Sequence, residues 1–385
     1  MPISYPEVDI NQILVVEDEL GRRILQKNEN GKLQRISFEA QRLPGFPRPL
    51  LSSPQIQRGA RVVIIRGGGI GDVLMSLPAI RELKRHLPDD THITLSTFRS
   101  NVPLFENIPE LDAVTAQPMT LARFMEMDYY AEFNDPNSEM SSMHMIDFYI
   151  KSIGLDPAKT HDKSISLPIG SLFDQNVAEL IKEAGRSFRS TVYLNGLASD
   201  MMRDLPPSTL LTFPENLKDH LFIFPKSYSE RYGQKVSDIT ARANVLHLDT
   251  IDSLSGYLTA LHSCDAVVTT DSSSYHIAAA LNKPCLAIFG PISANLRTTY
   301  YPGVIALEPN YMGRLCRSPC GKSMFAEFPE NKDTDEKRCP EAALMQMDFS
   351  PCLASFSRED LIDAFLALQI GAGQGRTERL HGVRQ

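Results

Sequence analysis

The sequence predicts an α/β protein made of two units, each a parallel sheet covered by helices. From Arg61 onward, short apolar strands alternate with amphipathic helical stretches. That rhythm loosens after residue 155 and restarts at "STVYLNG", residues 190–196. Each half also holds a strand that runs into a turn of small residues and then a helix, at "VVIIRGGGIGDVL" (62–74) and "VVTTDSSSYHIAAALN" (267–282). The 385 residues are enough for two separate cores.

Residues 1–58 read as a small N-terminal β extension and a linker. "ILVVEDE" and "LQRISFE" are strand-like, and "KNENGK" carries an Asn-Gly turn signal. The prolines of "RLPGFPRPLLSSPQ" predict irregular chain over 42–55. A first domain is expected over 59–185. Its strands are "RVVIIR", "HITLSTF", "AVTA" and "DYYAEF", and one helix is read through "DVLMSLPAIRELKRHL", with Val73, Leu74, Leu77, Ile80, Leu83 and Leu87 on one stripe. "MHMIDFYIKSIGL" reads as a helix ending at Gly154.

A second domain is expected over 186–356, with strands in "STVYLNG", "HLFIFP", "NVLHL", "DAVVTTD" and "PCLAIFG". "SLSGYLTALHSC" and "SSSYHIAAALN" are its clearest helices, and a cysteine-bearing loop occupies 312–353. A last amphipathic helix lies within 357–370, with Ser357 and Asp360 placed as a capping box. Residues 371–385 have little to bury and read as a tail.

Composition narrows the function. The chain is 42% hydrophobic and 22% charged, as soluble globular proteins are. A formal charge of −8, from 39 basic and 47 acidic residues, argues against a nucleic-acid partner, which needs a basic face. No apolar run approaches the ~18 residues of a membrane span, and the N-terminus lacks the pattern of a signal peptide. The expected compartment is the cytoplasm. Cys264 and Cys285 sit in apolar runs and are expected as buried, inert thiols.

The first turn is not a dinucleotide loop. With Gly67 and Gly69 as the first two glycines of G-x-G-x-x-G, the third position is Asp72, and the next strand ends "TLSTFRS" with no acid to hold a ribose. Asp72 has two readings, which exist together: a cap on the helix N-terminus, or a general base at the carboxyl edge of a parallel sheet. Gly67, Gly68, Gly69 and Gly71 form the loop that carries it. In the second turn, backbone N–H groups and the hydroxyls of Ser272, Ser273 and Ser274 form a cradle for an anion, with His276 one turn inside the helix; an ordinary N-cap with extra serines is the plainer reading.

"GGGIGDVLMSLPAIRELKRHLPDDTHITL" with "FENIPELDAV", "HMIDFYIKSIGLD", "YLNGLASDMMRDLPP" and "VVTTDSSSYHIAAALNKPCLAIFGP" together resemble, in order and spacing over about residues 60–310, the heptosyltransferase-like glycosyltransferases of family 9. The resemblance implies the GT-B fold: two Rossmann-like domains facing a cleft, acceptor domain first and donor domain second, with a C-terminal helix crossing back. It implies inverting transfer of a sugar, commonly heptose from ADP-heptose, to a saccharide or protein acceptor, with no catalytic metal. By position, Asp72 matches the family's base, and Asp271, Ser272 and His276 match its donor motif. Arg203 stands where the family has a basic residue for the donor phosphates, and Lys226 is placed to add a second contact. Asp271 is expected to hold sugar hydroxyls or to shape its turn. Ser273 replaces a usual glycine and Leu205 a usual tryptophan, changes that bear on which donor is used. A GT-B-like module that binds a nucleotide-sugar or glycan without turnover is the alternative, and self-association is left open.

Cys316, Cys320, Cys339 and Cys352 are spaced C-x3-C, then 18, then 12 intervening residues. Four thiolates in a polar segment suit a structural zinc or iron; free or paired thiols are the other reading. Protein heptosyltransferases acting on autotransporters, which this chain resembles also in its N-terminal extension, carry a four-cysteine iron finger in the matching region.

Overall fold

The computed structural model of the chain describes residues 13–17, 23–29, 32–35, 44–52, 55–133, 139–249, 251, 253–321 and 339–368. It divides into two compact units, Met1–Pro168 and Ile169–Gln385.

The first unit begins with β1 (Ile13–Glu17), β2 (Arg23–Glu29) and β3 (Lys32–Arg35), which are antiparallel. Glu29 pairs with Lys32, and the Asn-Gly pair between them lies outside the described residues. The unit continues with β4 (Arg48–Pro49), β5 (Arg61–Ile65), β6 (His92–Phe98), β7 (Ala113–Gln117), β8 (Met119–Thr120) and β9 (Tyr129–Glu132). β8 pairs with β1 and so joins the extension to the rest of the unit. The main sheet is parallel in the order β4-β9-β5-β6-β7. Its central strand reads as a continuous apolar run because both faces are covered: Val62, Val63 and Ile64 are fully buried.

Two expectations are corrected here. The linker is not wholly irregular: Arg48–Pro49 adds an edge strand beside Tyr129–Tyr130, a place where a proline removes no inner ladder bond. The long helix after the glycine turn is two helices, Ile70–Leu74 and Leu77–His86. Pro78, in the first turn of the second, has no N–H to continue the ladder to Leu74. The helix Met145–Ser152 ends at Gly154, as expected. There φ is +80°, and the N–H groups of Gly154 and Leu155 donate to Lys151 and Ile150 in a Schellman closure.

The second unit holds β10 (Ser190–Asn195), β11 (His220–Pro225), β12 (Val245–Leu248), β13 (Ala266–Thr270), β14 (Cys285–Ile288) and β15 (Val304–Leu307), all parallel in the order β12-β11-β10-β13-β14-β15. This unit begins at Ile169 rather than 186. The helix Gln175–Ala184 packs on the helix Leu254–Ser263, and Asp174 N–H donates to Thr259 Oγ1 at 2.8 Å.

The helix Arg358–Leu366 has the expected capping box, with Asp360 N–H donating to Ser357 Oγ at 3.0 Å. Its buried residues, Leu361 and Phe365, are core residues of the second unit, alongside Phe213 and Phe222. The tail 371–385 lies outside the described residues. Among the described residues, no helix is long and apolar enough to cross a membrane.

Phe365 anchors this nine-residue helix in the core together with Leu361 and Leu368. Phe365→Ala should cost the second unit about 3–5 kcal/mol in urea denaturation; a loss below about 1 kcal/mol would remove this helix from the core.

Candidate active site

Each main sheet reverses its strand order at an inner strand. β5 lies between β9 and β6, and β10 lies between β11 and β13. Loops leaving the carboxyl ends of such neighbours go to opposite sides and part, which is where open α/β sheets bind ligands. The glycine turn follows β5; Asn195 ends β10 and the serine turn follows β13.

In the first unit, Gly69 caps the helix Ile70–Leu74 in an extended conformation and donates its N–H to Asp72 Oδ2 at 3.0 Å. The other carboxylate oxygen, Oδ1, lies 3.5 Å from Arg66 Nη2, and the Asp72 side chain stays 31% exposed. Asp72 therefore caps the helix through one oxygen and faces Arg66 through the other, on a side chain that keeps part of its surface exposed. The glycines are there for space and for dihedral. A Cβ on Gly67 would stand 2.8 Å from the Phe98 ring. Gly68 has φ +90°, and a Cβ there would stand 2.8 Å from Asp72 Oδ2. Gly71 is buried within the helix. Asn101 Nδ2 donates to Gly68 O at 3.1 Å and Arg66 N–H to Ser96 O at 2.9 Å, which fastens the turn to the neighbouring strand and loop. Arg66, whose guanidinium lies 5.5 Å from the centre of the Tyr149 ring, was not singled out from sequence, although it directly precedes the glycines.

In the second unit, Ser272 caps the helix Ser273–Ala280, its Oγ accepting from Ser274 N–H at 3.3 Å. The hydroxyls are largely engaged inside the fold. Asn195 Nδ2 lies 2.9 Å from Ser274 Oγ and 3.3 Å from Ser272 Oγ. Tyr257 Oη lies 2.9 Å from Ser273 Oγ and 2.8 Å from Ser274 Oγ. Burial raises the Tyr257 hydroxyl above its ordinary range, which keeps it a neutral partner. Asp271 and Arg203 come together: Arg203 Nη1 donates to Asp271 Oδ2 at 3.3 Å and to Asp271 O at 3.2 Å, and Nη2 donates to Ser199 Oγ at 2.8 Å. His276 is buried, with Nδ1 2.9 Å from Tyr301 Oη. Lys226 sits at the carboxyl end of β11, 3.2 Å from Asp249 and 3.8 Å from Glu230. Asn195, Tyr257 and Tyr301 had no sequence signal beyond, for Asn195, its place at a strand end before a glycine.

The loop carrying Arg203 is itself anchored. Asp204 is fully buried; Oδ1 accepts from Ala198 N–H at 2.6 Å, and Oδ2 from Arg231 Nη1 at 2.7 Å and from the Tyr232 hydroxyl. Ser350 Oγ donates to Met202 O at 2.8 Å.

Cys316, Cys320, Cys339 and Cys352 all line one small cavity, of about 10 Å³, together with Met202, Pro291 and Ser350. None of the four is in a disulfide. Burial, and then the nearby thiols of the other three, push the Cys352 thiol up to about 12. Among the described residues, no group of three or more His, Cys, Asp or Glu is arranged to hold a metal ion. The intervening residues 322–338 lie outside the described ones. Cys264 and Cys285 are fully buried, and burial raises both thiols far above their ordinary range, as expected of inert cysteines.

The strand, serine turn and helix just described fall inside a matched segment, residues 245–320. That stretch carries the signature of glycosyltransferase family 9 (heptosyltransferase). Solved structures similar to the chain include a family 9 glycosyl transferase from Veillonella parvula, at 14% identity over 81% of this chain and 97% of that one, with a TM-score of 0.56. Another is E. coli ADP-heptose LPS heptosyltransferase II, at 14% identity over 80% and 98%, with a TM-score of 0.56. A third is TibC from enterotoxigenic E. coli, described as a dodecameric iron-containing heptosyltransferase in complex with ADP-D-β-D-heptose, at 12% identity over 90% and 82%, with a TM-score of 0.55. At these identities the likeness is one of fold, and that fold is the GT-B class expected from the sequence. A comparison with curated protein sequences finds no match.

Asn195 is the buried tie between β10 and the serine turn. Asn195→Ala should destabilise the second unit by about 1–3 kcal/mol in urea denaturation, because it leaves the buried Ser274 hydroxyl short of a partner; an unchanged midpoint would show that the turn holds its shape without it.

Proposed function

We propose that the chain is an inverting glycosyltransferase that moves a sugar, heptose from ADP-heptose, to a saccharide or protein acceptor in the cytoplasm. The observation that carries this reading is Asp72, a partly exposed carboxylate held by Gly69 and Arg66 at the carboxyl edge of a parallel sheet. The family signature around the serine turn supports it, as does the fold shared with proteins described as ADP-heptose-dependent.

In this reading the first unit supplies the acceptor side and the second the donor side. Asp72 takes the proton of the acceptor hydroxyl as that oxygen attacks the anomeric carbon. The bond from that carbon to the diphosphate breaks, and the nucleoside diphosphate leaves with the electron pair. Inversion follows from attack opposite the leaving group. Backbone N–H groups at the Ser272–Ser274 turn stabilise the departing charge. Arg203 neutralises Asp271, so that the carboxylate does not repel the diphosphate, and holds its own loop against the turn. His276 fixes the helix behind the turn through Tyr301. Lys226 is the outlying cation of the donor side.

The same reading gives the four cysteines a structural metal, iron or zinc, held by Cys316, Cys320, Cys339 and Cys352. Their convergence on one cavity fits a soft four-sulfur donor set. Such a closed set joins chain segments and leaves no position open for substrate.

Asp72→Asn should lower release of ADP from ADP-heptose in the presence of acceptor by roughly 10²–10⁴-fold, with ADP affinity by calorimetry unchanged. Wild-type turnover in that variant would remove Asp72 as the base. Nucleotide-sugar binding by the wild-type chain with no turnover on any acceptor would instead establish the non-catalytic module. For the cysteines, elemental analysis of protein purified without a metal-chelating tag should find iron or zinc bound to the chain. Four titratable thiols and no metal would overturn that assignment.

A further inference from the structure

Arg297 lies on the short helix Asn295–Thr298, in the loop that leaves the carboxyl end of β14. It is 7% exposed. Among the described residues its guanidinium has one hydrogen bond, from Nη1 to the neighbouring carbonyl of Leu296 at 3.0 Å, and no carboxylate within ion-pairing distance. The other largely buried arginines are matched: Arg66 by Asp72, Arg81 by Glu110 and Asp162, Arg203 by Asp271. Glu308, the acid that reaches the Arg297 helix, accepts from the backbone N–H of Ala294.

A second buried group, on the helix of the serine turn, is also unsatisfied. Tyr275 is fully buried, and among the described residues its hydroxyl has no hydrogen-bond partner. Burial raises that hydroxyl well above its ordinary range, and Asp271, Arg297, Tyr301 and Arg203 also act on it. Arg203 takes up the Asp271 carboxylate. The positive charge of Arg297 is left over. An unmatched buried cation is unfavourable unless a bound anion completes it. A guanidinium does so best with a phosphate, which accepts its planar fork in two parallel hydrogen bonds.

We infer that Arg297 binds the diphosphate of the donor. The phosphate-binding charge that the family resemblance gives to Arg203 then belongs to Arg297, and Arg203 serves to silence Asp271. The anion site stands on the burial and missing ion pair of Arg297; its occupant, a nucleoside diphosphate, rests on the transferase reading.

The test is calorimetry on the full chain with ADP, adenosine and inorganic pyrophosphate, for wild type, Arg297→Gln and Arg297→Lys. Arg297→Gln should weaken ADP and pyrophosphate by roughly 10- to 100-fold, the range of a charge-assisted pair. Adenosine should bind as it does to wild type, and lysine should restore part of the loss. A merely structural arginine would weaken adenosine equally, and that result, or unchanged ADP and pyrophosphate affinity in Arg297→Gln, overturns the inference. Pyrophosphate binding that depends on Arg297, in a wild-type chain that binds no nucleotide, would keep the anion site and overturn the transferase reading.

Discussion

Reversal of the strand order at an inner strand of each parallel sheet is the constraint on which the rest of the site depends. A right-handed crossover moves the chain to one side of the strand it leaves. A strand with neighbours on both sides, such as β5 or β10, marks the place where successive crossovers go opposite ways and the loops part. A turn that follows such a strand has room above it, and its backbone groups face a ligand rather than another loop. Asp72 follows β5, and the serine turn follows β13, the neighbour of β10 across the reversal, so each turn borders the opening in its own sheet. One presents a carboxylate and the other presents hydroxyls and N–H groups.

Electrostatics hold these turns in shape. A buried ion pair adds little net stability, because each partner must first leave water, but it fixes geometry. Arg203 and Asp271 tie the loop after β10 to the turn after β13. Asp204 gathers Ala198 N–H, Arg231 and Tyr232 around one carboxylate and closes the same loop from its other side. Arg66 does the corresponding work for Asp72, at a longer distance and with more exposure. The segment from Gly196 to Leu205 is thus restrained at both ends, though it has no strand and only one short turn of 3₁₀ helix, Met201–Arg203.

Most of the fold was legible because fully buried parallel strands leave unbroken apolar runs. "RVVIIR", "HLFIFP" and "PCLAIFG" each became a strand within a residue or two of the expected bounds. What was not legible depends on partners distant in sequence. Arg48–Pro49 is a strand only because Tyr129–Tyr130 offers an open edge, and β15, only half-buried, has too little apolar contrast to stand out between its prolines. The helix Gln175–Ala184 belongs to the second unit because of Thr259, more than seventy residues away. Within the site, the turns were legible from glycine, serine and aspartate, whose chemistry is local. The charge balance was not: that Arg203 is paired and Arg297 is not follows from contacts across three loops, and no spacing records it.

The cysteine segment reaches these loops by two separate routes. Around Cys316 and Cys320, Ser318 Oγ donates to Gly290 O and Gly321 N–H to Pro291 O, so the first pair is fastened to the loop that leads to Arg297. Around Cys352, Ser350 Oγ donates to Met202 O, and Leu353 O accepts from Thr209 Oγ1 at 3.2 Å, so this cysteine is fastened to the loop that carries Arg203. A cation shared by the four sulfurs, as proposed above, would act as a clasp between those loops. The separation of the two guanidiniums would then be a quantity set at the clasp, by chemistry remote from the proposed transfer.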